Sequence, residues 1–563
     1  MGNIFLDLSV IIVIAALFSL IFRFFRQPEI LAYILTGIFI STVPFLGSPN
    51  KDFLQTLSNL GITLLLFMVG LEIKISELAS IGKTIIFSSL GQIFITFALG
   101  FLASSLFGFN AITSVYVATA LTFSSTIIVV KLLSDQRELH SLHAKFSVGI
   151  LLIQDIVAII FLMILSGFSL ETGGFISLVN LAAIAVKGFM LLAFIAFLSK
   201  YVFPKVVDFV AKSPETLFLV SLAWVFGLAA IVSSKYVGFS IEIGGFLAGV
   251  ALANSLVSYQ IIAKAKILRD FFIVIFFVLL GLQMSFANIG QIIIPAIILS
   301  LFVLLLKPLI VMAIFGILGY RKRTSFLTGV SLSQISEFSL ILIFLGFKLG
   351  HINQNIVSLI TLVGIITFAV STYGITHWKS LYKKVAGRIE FMERANPRKD
   401  LIFESDENLD ELSGHVVVVG GDQMGESIVE ALEDRDREVI IVDFDPNMIK
   451  KYENKKVHRI FGDISDLDIQ QRAKIDEAKL VISTIPDIQD NLLLLKELKH
   501  ENRKAKIVMM ALDVKDAKEL YKEGADYVIL PHLAGGRQIA KFILDDNLDR
   551  IETLRHRDEN YLG

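Results

Sequence analysis

The 563-residue chain contains no cysteine. Disulfides, thiolate metal sites and a thiol redox switch are therefore excluded within the chain itself. Charge is scarce as well: Asp, Glu, Lys and Arg make up 18% of residues, and 51 basic side chains stand against 52 acidic ones, so no basic excess points to nucleic acid. The nine histidines lie mostly in loops and in the C-terminal part, without ligand spacing, and define no metal site. What fills the sequence instead is apolar, at 55% hydrophobic residues. The scarce charge is also unevenly placed, because residues up to about His377 are strongly apolar and the remainder is crowded with Asp, Glu, Lys and Arg. This pattern reads as a polytopic α-helical membrane domain over 1–376, a connecting helix and acidic linker over 377–413, a soluble α/β domain over 414–535 and a tail over 536–563. Asn3–Phe22 lacks a basic leading region and a small-residue cleavage site, so it is expected to be a retained span.

About thirteen apolar segments reach spanning length, near 4–22, 28–45, 56–72, 84–106, 111–133, 146–167, 176–199, 216–234, 239–254, 267–285, 290–319, 324–347 and 353–374. If they alternate sides, one set of loops carries Arg23, Arg26, Lys145, Lys200, Lys264, Arg269 and Arg321–Arg323, and the opposite set little beyond Lys51, Lys235 and Lys348. Basic loops stay in the cytoplasm. An odd span count then puts the N-terminus outside and the soluble domain in the cytoplasm, in a cell inner or plasma membrane. His377–Arg398 is basic and partly amphipathic, suited to lie on anionic headgroups.

The sixth segment carries Gln154 and Asp155 in its middle. A carboxylate at membrane depth costs about 2.5–3.5 kcal/mol even on lenient insertion scales, which makes Asp155 a functional-site candidate. Two further segments are interrupted by hydroxyl groups: Thr122, Ser124, Ser125 and Thr126 in span five, and Ser331, Ser333, Gln334 and Ser336 before Glu337 in span twelve. Such interruptions in two segments seven spans apart, hence inverted relative to each other, suggest discontinuous helices around a midplane ion site, where carbonyls and hydroxyls replace water. Lys307, beside Pro308 in span eleven, is expected either to neutralise Asp155 or to brace the broken-helix ends, and Glu337 and Ser333 to support the hydroxyl cluster.

From Gly414 onward, runs of β-branched residues alternate with helical patterns, as in a parallel doubly wound sheet: HVVVVG (415–420), VIIVD (439–443), VHRIFGD, LVISTI, IVMMAL and YVIL. The first turn reads Gly420, Gly421, Asp422, Gln423, Met424, Gly425, with Asp422 where the dinucleotide fingerprint has its second glycine. Asp443 stands where an acidic residue would hold ribose hydroxyls. No catalytic base or nucleophile accompanies the fold, so an enzyme is not expected.

Taken in order, RQPEILAYILTGIFI, LLFMVGLE, LTFSSTIIVVKLL, GILLIQDIVAI, FSIEIGGFLAGVALAN, FFIVIFFVLLGLQM, the Lys307 span and SLSQISEFSLIL resemble the Kef-type branch of the monovalent cation:proton antiporter-2 family. The resemblance implies a thirteen-span inverted-repeat sodium/proton-antiporter fold. It also implies a homodimer built through spans one to three and eight to ten, and a mobile core of spans four to six and eleven to thirteen. Broken spans five and twelve would cross beside Asp155. Gln154 in place of a second Asp implies neutral exchange. Residues 414–532, with FGDISD and STIPDIQDN, resemble a TrkA-N type RCK domain. That likeness implies a Rossmann-like regulatory nucleotide site at Gly420, Gly421, Gln423, Met424, Gly425, Asp443 and Asp463, taking AMP or a related adenine nucleotide, or NAD(H), and a second dimer contact. An empty site serving only dimerisation is the alternative. An ancillary regulatory subunit fits the same pattern, and glutathione gating belongs to the family, although its contacting residues have no match here.

Desolvation disfavours the charged form of a buried carboxylate, so a proton and a dehydrated cation are expected to compete for Asp155. With neutral oxygens from Gln154, Ser124, Ser125 and Thr126 around one charge, the site is expected to suit K+ over Na+. An RCK-gated channel is the other class of reading, but no carbonyl-filter segment such as TVGYG occurs.

Overall fold

The computed structural model describes residues 4–43, 50–72, 82–136, 141–166, 213–234, 237–253, 257–284, 289–320 and 322–385, and in the C-terminal part 412–435, 437–443, 446–452, 457–462, 467–501 and 504–544, with isolated residues between. The chain divides into two units, Met1–Gln136 with Lys145–Arg394, and Ala395–Gly563 with Arg137–Ala144.

In the first unit, long apolar runs can satisfy their backbone only within themselves, and they do so as helices. These are α1 (Ile4–Phe24), α2 (Glu29–Thr42), α3 (Lys51–Glu72), α4 (Lys83–Leu106), α5 (Ala111–Thr122), α6 (Thr126–Asp135), α7 (Leu142–Ser166), α8 (Pro214–Val232), α9 (Ile241–Leu252), α10 (Ser258–Leu282), α11 (Ile289–Leu301), α12 (Lys307–Ile317), α13 (Lys322–Ser331), α14 (Glu337–Lys348), α15 (Gln354–Thr376) and the short α16 (Trp378–Val385). Among the described residues, eight helical segments are long and apolar enough to cross a membrane, with Glu29–Thr42 and Ile241–Leu252 as shorter apolar helices. The segment expected near 176–199 lies largely outside the described residues.

Glycine sets how closely some of these helices approach. Where α2 meets α10, a Cβ on Gly37 would collide with the Val278 carbonyl and one on Gly281 with the Ile34 carbonyl. Where α3 meets α9, Gly70 faces the Phe246 carbonyl and Gly249 the Phe67 carbonyl in the same reciprocal way. Small residues permit this approach between membrane helices, whose association gains from van der Waals contact.

Two expected spans are broken. Span five is α5 and α6 with Phe123–Ser125 between them, and span twelve is α13 and α14 with Leu332–Ser336 between them. The hydroxyls that interrupt the apolar pattern also cap the new ends: Ser125 Oγ accepts the Ile128 N–H at 3.1 Å, and Ser336 Oγ accepts the Phe338 N–H at 3.1 Å. Span eleven is distorted rather than broken, with a π-turn at Phe302–Leu306 between α11 and α12. Pro308 has no N–H for the carbonyl of Leu304, and a widened turn relieves the clash.

In the second unit six parallel strands run β3-β2-β1-β4-β5-β6: β1 (Val416–Val419), β2 (Val439–Asp443), β3 (His458–Phe461), β4 (Leu480–Ser483), β5 (Lys506–Met510) and β6 (Tyr527–Ile529). Val417, Val419, Ile440 and Val442 enter one apolar cluster, and Val416, Val418, Val439 and Ile441 another. Both faces of the sheet are therefore buried, which is why its strands are continuously apolar rather than alternating. Helices α17 (Gln423–Glu433), α18 (Pro446–Lys451), α19 (Leu467–Arg472), α20 (Ile488–Glu501), α21 (Val514–Glu523) and α22 (Pro531–Leu544) complete the unit. The position 535/536 lies inside α22, which Pro531 opens and which runs on through Gly535 and Gly536 to Leu544. Just before β1, His415 Nε2 bonds the Ala473 carbonyl at 2.9 Å while Nδ1 is buried with no partner among the described residues. Burial pushes this imidazole below the usual histidine range.

Candidate functional site

The two breaks meet. Ser124 Oγ donates to the Leu332 carbonyl at 3.0 Å, joining the break of span five to that of span twelve. Lys307 Nζ donates to the Phe123 carbonyl at 3.0 Å and to the Gln334 carbonyl at 3.1 Å, one from each break. The lysine thus holds one carbonyl from each break. Its position follows from the π-turn immediately before it, and its side chain is completely buried.

Asp155, on α7, reaches the same place: its Oδ2 accepts a hydrogen bond from Thr126 Oγ1 at 2.9 Å. Next to it Ser125 Oγ donates to Glu337 Oε1 at 2.7 Å. Two carboxylates are thus attached to consecutive residues at the start of α6, and Glu337 itself opens α14. Helix N-termini carry partial positive charge and unpaired N–H groups, so both half-helices favour the anions placed there. Asp155 keeps 8% of its surface exposed, Glu337 5%, and Gln154, Ser124 and Ser125 none. A nearly dry pocket of carboxylates, hydroxyls and helix ends is suited to hold either a proton or a cation stripped of most of its water.

Gln154 is bonded at both ends of its amide. Its Oε1 accepts the Ser124 N–H at 2.8 Å and its Nε2 donates to Gln92 Oε1 at 2.6 Å, so both ends of the amide are engaged in the protein. Ser333 Oγ, in the second break, donates to the Val330 carbonyl at 2.7 Å and so closes the end of α13. Sequence reading passed over Gln92, although an amide inside the apolar run of α4 meets the same criterion of polarity at depth that exposed Asp155. Thr367 of α15 was missed too; its Oγ1 accepts the Ile335 N–H of the second break at 3.5 Å.

In the soluble unit the first βα turn closes as a phosphate-binding turn does. Gly420 takes φ 95°, and a Cβ on Gly425 would collide with the Gly420 carbonyl. Gly421 N–H donates to Asp443 Oδ2 at 2.6 Å, Tyr452 OH donates to the Gly421 carbonyl at 2.9 Å, and Thr484 Oγ1 donates to the Val419 and Gly420 carbonyls, each at 3.1 Å. Asp443 therefore braces the turn, in addition to standing at the strand end where ribose would lie. Asp422, the departure from the fingerprint, is the N-cap of α17 and accepts the Gln423 N–H at 2.8 Å. Its carboxylate occupies the helix end that a pyrophosphate would otherwise use. Gln423 and Met424 form the first turn of α17. Asp463 lies outside the described residues.

A carboxylate held at the meeting of two broken membrane helices, in a chain that also carries a Rossmann-like domain, is the arrangement of a regulated secondary cation transporter. Residues 10–378 match the family model "Sodium/hydrogen exchanger, transmembrane", and residues 416–531 match the TrkA-N domain. The chain belongs to the sodium/hydrogen exchanger family, in its Kef-type form with a C-terminal TrkA-N domain; it is a transporter and not an enzyme. It is similar to YbaL of Escherichia coli (strain K12), 24% identical over 548 residues covering 95% of each chain. K(+) efflux antiporter 4 of Arabidopsis thaliana is 30% identical over 345 residues, covering 60% of this chain and 57% of that one. The solved sodium proton antiporter MjNhaP1 from Methanocaldococcus jannaschii shares the fold of the membrane unit, with TM-score 0.52 and 17% identity over 68% of this chain and 98% of that one.

Proposed function

We propose that the protein exchanges a monovalent cation, K+ in preference to Na+, for H+ in a one-for-one, electroneutral cycle, with Asp155 as the site that both ions occupy in turn. The observation that carries this is the Asp155–Thr126 contact at the crossing of the two broken helices. Lys307 and Glu337 are one formal plus and one formal minus in the same core, so Asp155 is the carboxylate whose charge a cation or a proton neutralises. Movement of the ion-carrying helices against the glycine-packed ones, as an elevator, requires that neutralisation, because a bare charge is costly to carry through the membrane. K+ is favoured over Na+ because it sheds its water at lower cost, and the hydroxyls of Ser125 and Thr126 supply neutral oxygens beside the one carboxylate that Lys307 does not offset. The name of the Arabidopsis relative is in keeping with this choice.

The N-terminus faces outward and the TrkA-N domain the cytoplasm, as the basic loops require. An adenine nucleotide, AMP before NAD(H), binds at Gly420–Gly425 and sets the transport rate. The capped helix end at Asp422 leaves less place for a second phosphate. Two copies pair through α1–α3 and α8–α10 and through the soluble domains, whose α22 leaves Leu533, Ile539, Ile543 and Leu544 exposed.

The test is reconstitution into liposomes with an internal pH indicator and pulses of K+, Na+, Li+ or choline, with and without a membrane potential, and with AMP or NADH on the side of the soluble domain. The wild type should move protons in response to K+ first, independently of potential, and Asp155→Asn should abolish the response. Exchange that survives Asp155→Asn refutes the site. A potential-driven K+ flux without proton movement would identify a channel instead.

A further inference from the structure

Gln92 has no part in the exchange cycle just described, yet it is completely buried and bonded on every side. One N–H of its amide donates to Thr96 Oγ1 at 3.0 Å, one turn along α4; the other donates to the Thr122 carbonyl at 3.2 Å, the last residue of α5 before the break. Its Oε1 accepts from Gln154 Nε2, and Gln154 Oε1 in turn accepts the Ser124 N–H inside the break. The orientation of both amides is fixed by backbone chemistry at the two ends of the chain of bonds. A carbonyl at Thr122 can only accept and an amide at Ser124 can only donate, and just one arrangement of the two glutamines satisfies both.

An interrupted helix leaves carbonyls and N–H groups without partners, and no water is present at depth to take them. The two glutamines close that gap from outside the broken helix, bridging the carbonyl at the near edge of the break to an N–H within it. Lys307 takes the Phe123 carbonyl between them. Gln92 and Lys307 each belong to the span that immediately precedes a broken one in the chain, so the two halves of the membrane unit contribute one brace each.

The consequence for the ion site lies in the spacing. Gln154 and Asp155 are neighbours on α7, and their partners Ser124 and Thr126 are two residues apart on the broken span. The two bonds form a two-rung clamp, with the Gln154–Ser124 rung setting where the Thr126 hydroxyl stands against the Asp155 carboxylate. Gln92 holds the Gln154 amide in the orientation the first rung needs.

We propose that Gln92 is a positioning residue for cation binding, acting with Gln154 as one relay that fixes the span-five break, and that Gln154 serves the ion through this relay rather than as its ligand. This rests on Asp155 being the exchange site. The test is a double-mutant cycle of Gln92→Met, Gln154→Met and the double variant, each reconstituted for K+-driven proton movement and each measured in detergent for amide exchange across residues 122–128. Loss of one net hydrogen bond corresponds to about a tenfold effect, so each single variant should raise the KM for K+ about tenfold with less change in maximal rate. Exchange of the Ser124 amide should rise by about the same factor, since its opening is governed by the same bond. The double variant should be no worse than either single one, because residues acting as one unit do not add. Additive losses, or a folded Gln92→Met with unchanged KM and unchanged Ser124 exchange, would overturn the relay. Gln92→Glu is the second variant should methionine prevent folding: it keeps the shape and still accepts from Gln154, but even when protonated it has one donor for the two acceptors Thr96 and Thr122, so it should weaken K+ binding. If the wild type moves no protons with K+, the exchange reading has failed; the amide-exchange arm still decides whether the relay exists.

Discussion

At the crossings of α2 with α10 and of α3 with α9, helices meet because side chains are missing; at the crossing of the two broken spans, they meet through side chains that have been added. Gly37, Gly281, Gly70 and Gly249 bring backbone against backbone with no polar group to exchange and no space to fill. The broken crossing is the reverse. Its backbone ends are satisfied by Ser124, Lys307, Gln154 and Gln92, each a group that can be removed or repositioned one at a time. The first kind of contact is close backbone packing. The second leaves polar ends gathered around Asp155, which is what an ion without its water requires.

The contrast can be broken first at the glycine crossings. Gly249→Leu should force α3 and α9 apart, and overpacking against backbone belongs at or above the upper end of the usual cost of about 1–3 kcal/mol. The thermal unfolding midpoint in detergent should fall sharply, while any protein that still folds keeps its affinity for K+. An unchanged midpoint would show that the glycines are not what joins these helices.

Lys307→Met sharpens the other side. It strips the donor from two buried carbonyls, and each unsatisfied group costs about 1–3 kcal/mol, offset in part because a buried ammonium no longer has to be desolvated. Stability should therefore fall less than for Gly249→Leu, but K+-driven proton movement should fall further than stability explains. Full transport in liposomes by this variant would remove Lys307 from the site.

The smallest effect should come from the soluble unit and its pH response. Burial lowers the affinity of His415 for a proton in the folded state, and Nδ1 has no acceptor among the described residues. Between its depressed folded value and the ordinary histidine value of about 6.5 the unfolded chain binds more protons, so stability is full above that ordinary value and is lost as pH falls below it. Limited proteolysis of the full chain should cut the TrkA-N domain faster at pH 5.5 than at pH 7.5, and His415→Gln should reduce the difference. Equal rates at the two pH values in the wild type would contradict this assignment.

Much of this was legible beforehand. Asp155 was marked by its cost in an apolar run, the two breaks by hydroxyls at Ser124–Thr126 and Ser331–Ser336, and the doubly wound sheet by its β-branched runs. The partners of Gln154 were not legible and Gln92 was not read at all, because a glutamine in a sequence shows a carbonyl and an amine but not which neighbour faces each. Asp422 was legible as a departure from a fingerprint, whereas its service as the cap of α17 needed the turn itself.

The division has one physical cause. Hydropathy, helical and strand periodicity, breakers and caps are properties of residues adjacent in the chain, and the sequence by itself determined the membrane helices, their two interruptions, the parallel sheet and the carboxylate at depth. Partners of buried polar groups are properties of helix crossings: Gln92 finds the Thr122 carbonyl 30 residues away, Lys307 the Phe123 carbonyl 184 residues away and Ser125 the Glu337 carboxylate 212 residues away. In a medium without water each such group must find a partner in the protein, and only the tertiary structure decided which one.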